Sequence, residues 1–245
     1  MAGMILTTLL LLAAERSPID QAGQVAVSFW SQFPGVKCTE RVVQTKLRAN
    51  GDVATSRKSE FDYVAFLKSQ AGTLSIEESR IARSAAKPDE QHELLLTSGF
   101  PSFMLMFHPD FRDRFEFQTP ASATPGGVIP VAFKSRPDAH SMSALKLRDR
   151  TYPILWTGVA WIDAKTGAIS KIEAEMGTSM EEFGLSGLRA EVEYEPVMLS
   201  AASIWLPRRA TVSLRTPRQQ WRNVHEYTDY RLFSVTTSSQ PANPK

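Results

Sequence analysis

The chain has 245 residues, of which 42% are hydrophobic and 22% charged, with 13 Gly, 15 Pro and one Cys. This composition excludes a collagen-like or low-complexity chain, and the length can bury a sizeable core in one large β domain or two small ones. A formal net charge of +2 is too small to point to a nucleic-acid partner, and a lone Cys excludes a disulfide framework or a multi-cysteine metal site.

Met4 to Ala14 reads MILTTLLLLAA, without a charge. That is the length of a signal-peptide apolar core, short of the roughly 18 residues of a membrane span. Ala13 and Ala14 place small residues just before Glu15. The expectation is a signal-peptide remnant over 1–14 and a periplasmic or secreted protein. No Lys or Arg precedes the run, which keeps a short buried helix as the alternative. Gly35-Val36-Lys37 ahead of Cys38 is not a lipobox, so no lipidation is expected.

Pro18 to Phe33 predicts a helix, with Ser17 as its cap and Ile19, Val25 or Ala26, Phe29 and Trp30 near one face. Pro34-Gly35 stops it. Val36 to Ala49 predicts a strand, and Asn50-Gly51 is a strong hairpin signal. The returning strand starts near Val53 and passes Phe61, Tyr63 and Phe66. After Gly72, Thr73 to Ala82 predicts a third strand, and Ser84 to Gln91 a polar loop. Glu93 to His108 is apolar nearly all round, through Leu94, Leu95, Leu96, Phe100, Phe103, Met104, Met106 and Phe107. Such a segment is a buried helix or a lid on an apolar cavity, cut in two at Pro101. Phe111 to Gln118 predicts a strand, and Thr119 to Gly127 a loop.

From Val128 onward a period of two dominates. Ile154, Trp156, Gly158, Ala160 and Ile162 alternate with Thr157, Val159, Trp161 and Asp163, so both faces are apolar and the strand is central. Asp163 to Gly167 reads as a hairpin loop leading to Ile169, Ile172 and Ala174. Leu188, Ala190, Val192 and Tyr194 alternate with Arg189, Glu191, Glu193 and Glu195, which predicts one wet face. Ala210, Val212 and Leu214 repeat the pattern, and a last strand runs from Gln219 to Val235. Thr236 to Lys245 is a polar tail, expected to be disordered. The total is about nine or ten strands at meander spacing, with no alternating β-α-β pattern. The fold class is α+β, mainly antiparallel β, with a few helices.

The second half carries Tyr152-Pro153, Gly158-Val-Ala-Trp161-Ile-Asp163, Thr166-Gly167, Ile172-Glu173, Val192-Glu-Tyr194, Trp205-Leu-Pro207 and Tyr227-Thr-Asp-Tyr230. The first half carries Cys38-Thr-Glu40, Phe61-Asp-Tyr63 and Glu77-Glu-Ser-Arg80. In these segments the chain resembles secreted bacterial proteins related to outer-membrane lipoprotein-sorting (LolA-like) carriers. The resemblance runs from Pro18 to Val235 and implies a curved antiparallel half-barrel sheet covered by a few helices. It implies a single half-barrel domain over 15–235 and a cavity for an acyl chain.

A curved sheet with an apolar concave face holds either a ligand or its own side chains. Phe103, Met106, Trp156 and Trp205 are the candidate ligand-binding residues, with plain core packing as the competing account of each. Catalytic signals are weak. Ser143-Ala-Leu-Lys146 matches a Ser-x-x-Lys pattern, which needs the Ser at a helix start, and its companion motifs are absent. Asp138, His140 and Ser141 hold triad residue types without any evidence of triad geometry. His92, His108, His140 and His225 form no metal-ligand spacing, and Glu77-Glu78 and Glu181-Glu182 read as solvated pairs. No cofactor fingerprint occurs. Arg208, Arg209, Arg215, Arg218 and Arg222 surround Trp221. They read as stacked on that ring or paired with the Glu191–Glu195 face, and otherwise as a peripheral contact with anionic lipid headgroups.

Two functions follow from different classes. One is a non-catalytic periplasmic protein holding a lipid, acyl chain or lipoprotein, which predicts a dry apolar cavity and no ordered polar cluster. The other is an envelope structural or sensor module with a filled core and a protein partner.

Overall fold

The computed structural model describes residues 17–33, 35–70, 73–83, 99–120, 127–147, 150–178, 180–181, 184–200 and 202–233. The signal-peptide segment, the polar loop at 84–91, the Leu94–Leu96 run and the tail at 236–245 lie outside them.

Helix α1 spans Pro18–Gln32. The Ser17 hydroxyl accepts from the Asp20 N–H at 3.2 Å and Pro18 occupies the first turn, where its missing N–H costs nothing. Its buried side is Ala22, Gly23, Ala26 and Phe29, so small residues let the helix approach closely. Strands β1 (Val36–Leu47), β2 (Val53–Gln70) and β3 (Thr73–Ala82) follow as a meander. The β1–β2 turn is closed by Gly51 N–H on the Arg48 carbonyl at 2.9 Å, with Gly51 at φ +87°. Asn50 Oδ1 also accepts from the Asp52 N–H.

A 3-10 helix at Phe103–Phe107 leads into a single-turn helix α2 at Pro109–Arg112, and then into β4 (Phe115–Gln118). The expected strand from Phe111 is therefore shorter. His108 caps α2 through its ring nitrogen and Pro109 favours a helical start, so Phe111 is helical. Strands β5 (Val128–Ser135), β6 (Ala144–Leu147), β7 (Arg150–Pro153), β8 (Trp156–Asp163) and β9 (Ile169–Met176) follow. The last three are β10 (Gly187–Leu199), β11 (Ala202–Arg215) and β12 (Gln220–Leu232). There are thus more strands than the pattern suggested. The short β6–β7 hairpin carries too few residues for periodicity to register.

Ten strands form one sheet in the order β3-β2-β1-β12-β11-β10-β9-β8-β5-β4, and β6 and β7 form a separate hairpin. Every pairing is antiparallel. The β1–β12 ladder brings the first and last strands of the chain side by side inside the sheet. The sheet is open and bent into a trough. Laid flat, its nine strand spacings would separate the edge strands by about 43 Å. Yet residues 99–107 touch both edges. Gly99 N–H donates to Glu78 of β3, and the Phe107 ring stacks on Phe117 of β4. Nine residues reach roughly 30 Å fully extended, and a 3-10 turn shortens that to about 2 Å per residue. Only a rolled sheet satisfies both contacts.

The concave side is covered by α1 and the 3-10 helix. Two glycines allow close approaches, one to α1 and one within the sheet. A Cβ on Gly167, which sits at φ +72° in the β8–β9 turn, would lie 2.6 Å from the Gln21 backbone. A Cβ on Gly158 would lie 2.0 Å from the Glu173 carbonyl oxygen and 2.8 Å from the Phe133 ring. The alternating side chains Leu188, Ala190, Val192 and Tyr194 point inward as the sequence pattern required.

Candidate ligand site and buried polar cluster

The structure gathers three of the four candidate lining residues. Phe103 and Trp156 meet with ring centroids 5.5 Å apart, and Met106 joins them around a gap also bounded by Phe115, Met142 and Ser143. The gap holds only about 20 Å³. That suffices for one water molecule and no more. The dry apolar cavity expected of a carrier is therefore filled here by side chains. Trp156 is 7% exposed, and its indole N–H has no hydrogen-bond partner.

Trp205 lies elsewhere. It lines an open groove of about 570 Å³ under α1, with Val25 and Phe29 of the helix, Lys165 and Thr166 of the β8–β9 turn, and Ile204 of β11. Gln21, Gln24, Ser28, Gln32 and Ser203 supply amides and hydroxyls to the same walls. The helical period explains the mixture. Residues 21, 25, 28 and 32 return to one face of α1, and that face holds both apolar and amide side chains.

Beneath Phe100 the trough carries an ordered polar cluster, contrary to the expectation for a carrier. Its centre is Glu40, which is fully buried. Glu40 lies opposite Tyr227 in the β1–β12 ladder, and His225 is one inward position along. Glu40 Oε1 accepts from the Tyr227 hydroxyl at 2.9 Å and from Arg80 at 2.9 Å, and lies 2.8 Å from His225 Nδ1. Glu40 Oε2 accepts from Arg80 Nε at 2.5 Å. The Arg80 guanidinium also covers the Tyr63 ring at 5.1 Å. Burial pushes the Glu40 carboxyl up, but the hydrogen bonds from His225 and Arg80 outweigh it and hold the group below its ordinary value. Burial likewise opposes the charge on Arg80, and Glu40 more than restores it.

Glu78 is the second carboxyl of the cluster. It is buried, which corrects the expectation that Glu77-Glu78 is a solvated pair. Strand alternation turns Glu78 inward, in line with Arg80, where a rolled edge strand is covered by Gly99 and Phe100. Burial raises its carboxyl above the ordinary value despite Arg80 and the Gly99 N–H. Burial also drives the Tyr63, Tyr194, Tyr227 and Tyr230 hydroxyls upward, and takes the Cys38 thiol to about 12, which leaves it inert.

The weak catalytic signals do not assemble. Ser143 precedes strand β6, so Ser143 and Lys146 are not one helical turn apart. Ser141 Oγ lies within 2.7 Å of the Ser143 and Ile154 carbonyls and joins the two ends of the β6–β7 hairpin, while His140 is exposed. Among the described residues no group of three His, Cys, Asp or Glu side chains could hold a metal ion. In the basic stretch Arg208 pairs with Glu193 and Glu195, as the charge pattern suggested, and it is Lys46 that covers Trp221.

No protein-family model matches the chain, and no curated protein matches it. Among solved structures it is similar to a DUF1329 family protein from Desulfovibrio piger, with 11% identity, 91% of this chain and 96% of that one covered, and a TM-score of 0.42. It is also similar to a domain from Vibrio parahaemolyticus described as an outer membrane lipoprotein-sorting protein. There the identity is 9%, the coverage 87% of this chain and 91% of that one, and the TM-score 0.44. The second is of the kind named by the sequence resemblance.

Proposed function

We propose that this chain is a non-catalytic binding protein of the bacterial envelope that takes an acyl chain or a similar apolar small molecule in the groove under α1. The observation that carries this is the contrast between the two spaces. The groove is preformed at about 570 Å³, inside the range of small-molecule sites, while the gap at Trp156 is about 20 Å³. Phe29, Ile204 and Trp205 offer an apolar surface, and Gln24, Gln32 and Thr166 offer hydrogen bonds to a polar head. The apolar segment Met4–Ala14 supports the envelope assignment.

The test is native mass spectrometry with lipid extraction on exported, detergent-free protein, followed by titration with a fluorescent fatty acid. A bound acyl species that is lost in Trp205→Glu and kept in Phe103→Ala places the ligand in the groove. A clean mass with no uptake of added fatty acid removes the carrier reading. The filled interior specifically favours the second reading, an envelope interaction module. In that case the same groove takes apolar side chains of a protein partner.

A further inference from the structure

Residues 99–107 cross the trough without strand pairing, so side chains hold them. Tyr194 of β10 donates to the Phe100 carbonyl at 2.8 Å. The Phe100 ring rests on His225 and Tyr227 of β12, at 5.0 and 6.4 Å. Among the described residues the second polar tie is the Gly99 N–H, which donates to Glu78 Oε1 at 2.6 Å.

Glu78 is poorly placed to carry a charge. Its side chain is 7% exposed, and its second oxygen makes no hydrogen bond. Among the described residues the nearest cation is Arg80, which is bound to Glu40 through two nitrogens and stands 4.0 Å from Glu78. Among the described residues the other titratable groups around it do not offset its burial. Tyr63 of β2 faces it, and that contact favours the carboxylate less than burial disfavours it. Glu40 of β1 is a like charge, with His225 and Tyr227 of β12 bound to its far side. Cys38 and Tyr230 lie beyond Glu40, and Tyr194 bonds the covering segment. Residues 99–107 bring no titratable side chain. An isolated buried carboxylate is costly, so the closed trough favours the protonated acid, whereas a hydrated Glu78 in the open trough has no such preference.

We propose that Glu78 is a proton-operated pin, which holds residues 99–107 closed over the trough when protonated and lets them lift when it ionises. Because the carboxyl is raised in the closed state, closure is fully supported below the ordinary carboxylate value. That support is lost as pH rises through the raised value. Lifting uncovers Phe103, Met106 and Trp156, so the pin sets whether an apolar group can enter the trough. It acts on closure itself and stands whether or not the groove under α1 binds a ligand.

Hydrogen exchange of the full chain, read by mass spectrometry from acid to mildly alkaline pH and corrected for intrinsic exchange, tests it. Protection of the Gly99–Phe107 peptide is expected to fall by up to roughly tenfold per pH unit above the Glu78 titration, while the Val159–Ile162 peptide stays level. Glu78→Gln keeps an acceptor for Gly99 but cannot ionise, so its protection is expected to stay high and level. Tyr194→Phe removes the other tie, so protection drops at every pH with the slope kept. A level profile in the unmodified chain overturns the proposal, and so does an unchanged slope in Glu78→Gln.

Discussion

Glu40 is a charged residue with no exposed surface, and its neighbours explain why it is tolerated. The bidentate Arg80 contact, the Tyr227 hydroxyl and the His225 ring together satisfy the carboxylate in a place where water does not reach. Glu40→Gln keeps the shape but leaves the Arg80 charge without its counter-ion. It is expected to lower unfolding stability by about 3–5 kcal/mol, measured by urea denaturation at neutral pH. Paired with Arg80→Met, the double variant is expected to lose less than the sum. The Glu40 carboxyl is held low, so its contribution is present above the unfolded carboxylate value and disappears as pH falls through the lowered value. Glu78 has the opposite sign, so acid acts on the cluster at Glu40 and base at Glu78. These residues stood in the sequence as strand markers, in Cys38-Thr-Glu40, Glu77-Glu-Ser-Arg80 and Tyr227-Thr-Asp-Tyr230. A charged residue in an alternating run reads as solvent-facing. Nothing local shows that Glu40 meets a histidine 185 positions away.

At the scale of elements, the strands with clean alternation were legible. Thr73–Ala82 is a strand as expected, and β10 and β11 follow the pattern because one face is covered and the other is wet. Elements set by local caps were not. The α2 turn depends on His108 and Pro109, which override the strand-like reading at Phe111 and Arg112. Strand β8 adds a constraint that alternation hides. Gly158 occupies an inward position where Phe133 of β5 crosses over it and the β9 backbone closes in. Gly158→Ala is therefore expected to cost at least about 1–3 kcal/mol and to shift the urea midpoint downward. A midpoint equal to that of the unmodified chain would show that β8 and β9 can part without loss.

At the scale of the whole molecule, the first and last strands, β1 and β12, pair along eleven residue positions inside the sheet. Neither the three-stranded N-terminal part nor the C-terminal meander can keep its inner face covered alone. We expect residues 15–235 to unfold as one unit, with tryptophan fluorescence and far-UV circular dichroism giving coincident denaturation curves. Two separated transitions would divide the domain. The sequence by itself determined the antiparallel class, most strand positions, the Asn50-Gly51 and Asp163–Gly167 turns and the apolar character of residues 100–107, because periodicity and turn chemistry are local. Only the tertiary structure decided that Phe103, Met106 and Trp156 fill their own space while Trp205 lines a separate groove, and that Glu40, Glu78, Arg80 and His225 converge under Phe100. Those outcomes depend on how far the sheet rolls and on which strands meet across it. Strand register over nearly the whole chain fixes both, and no short stretch of residues encodes it.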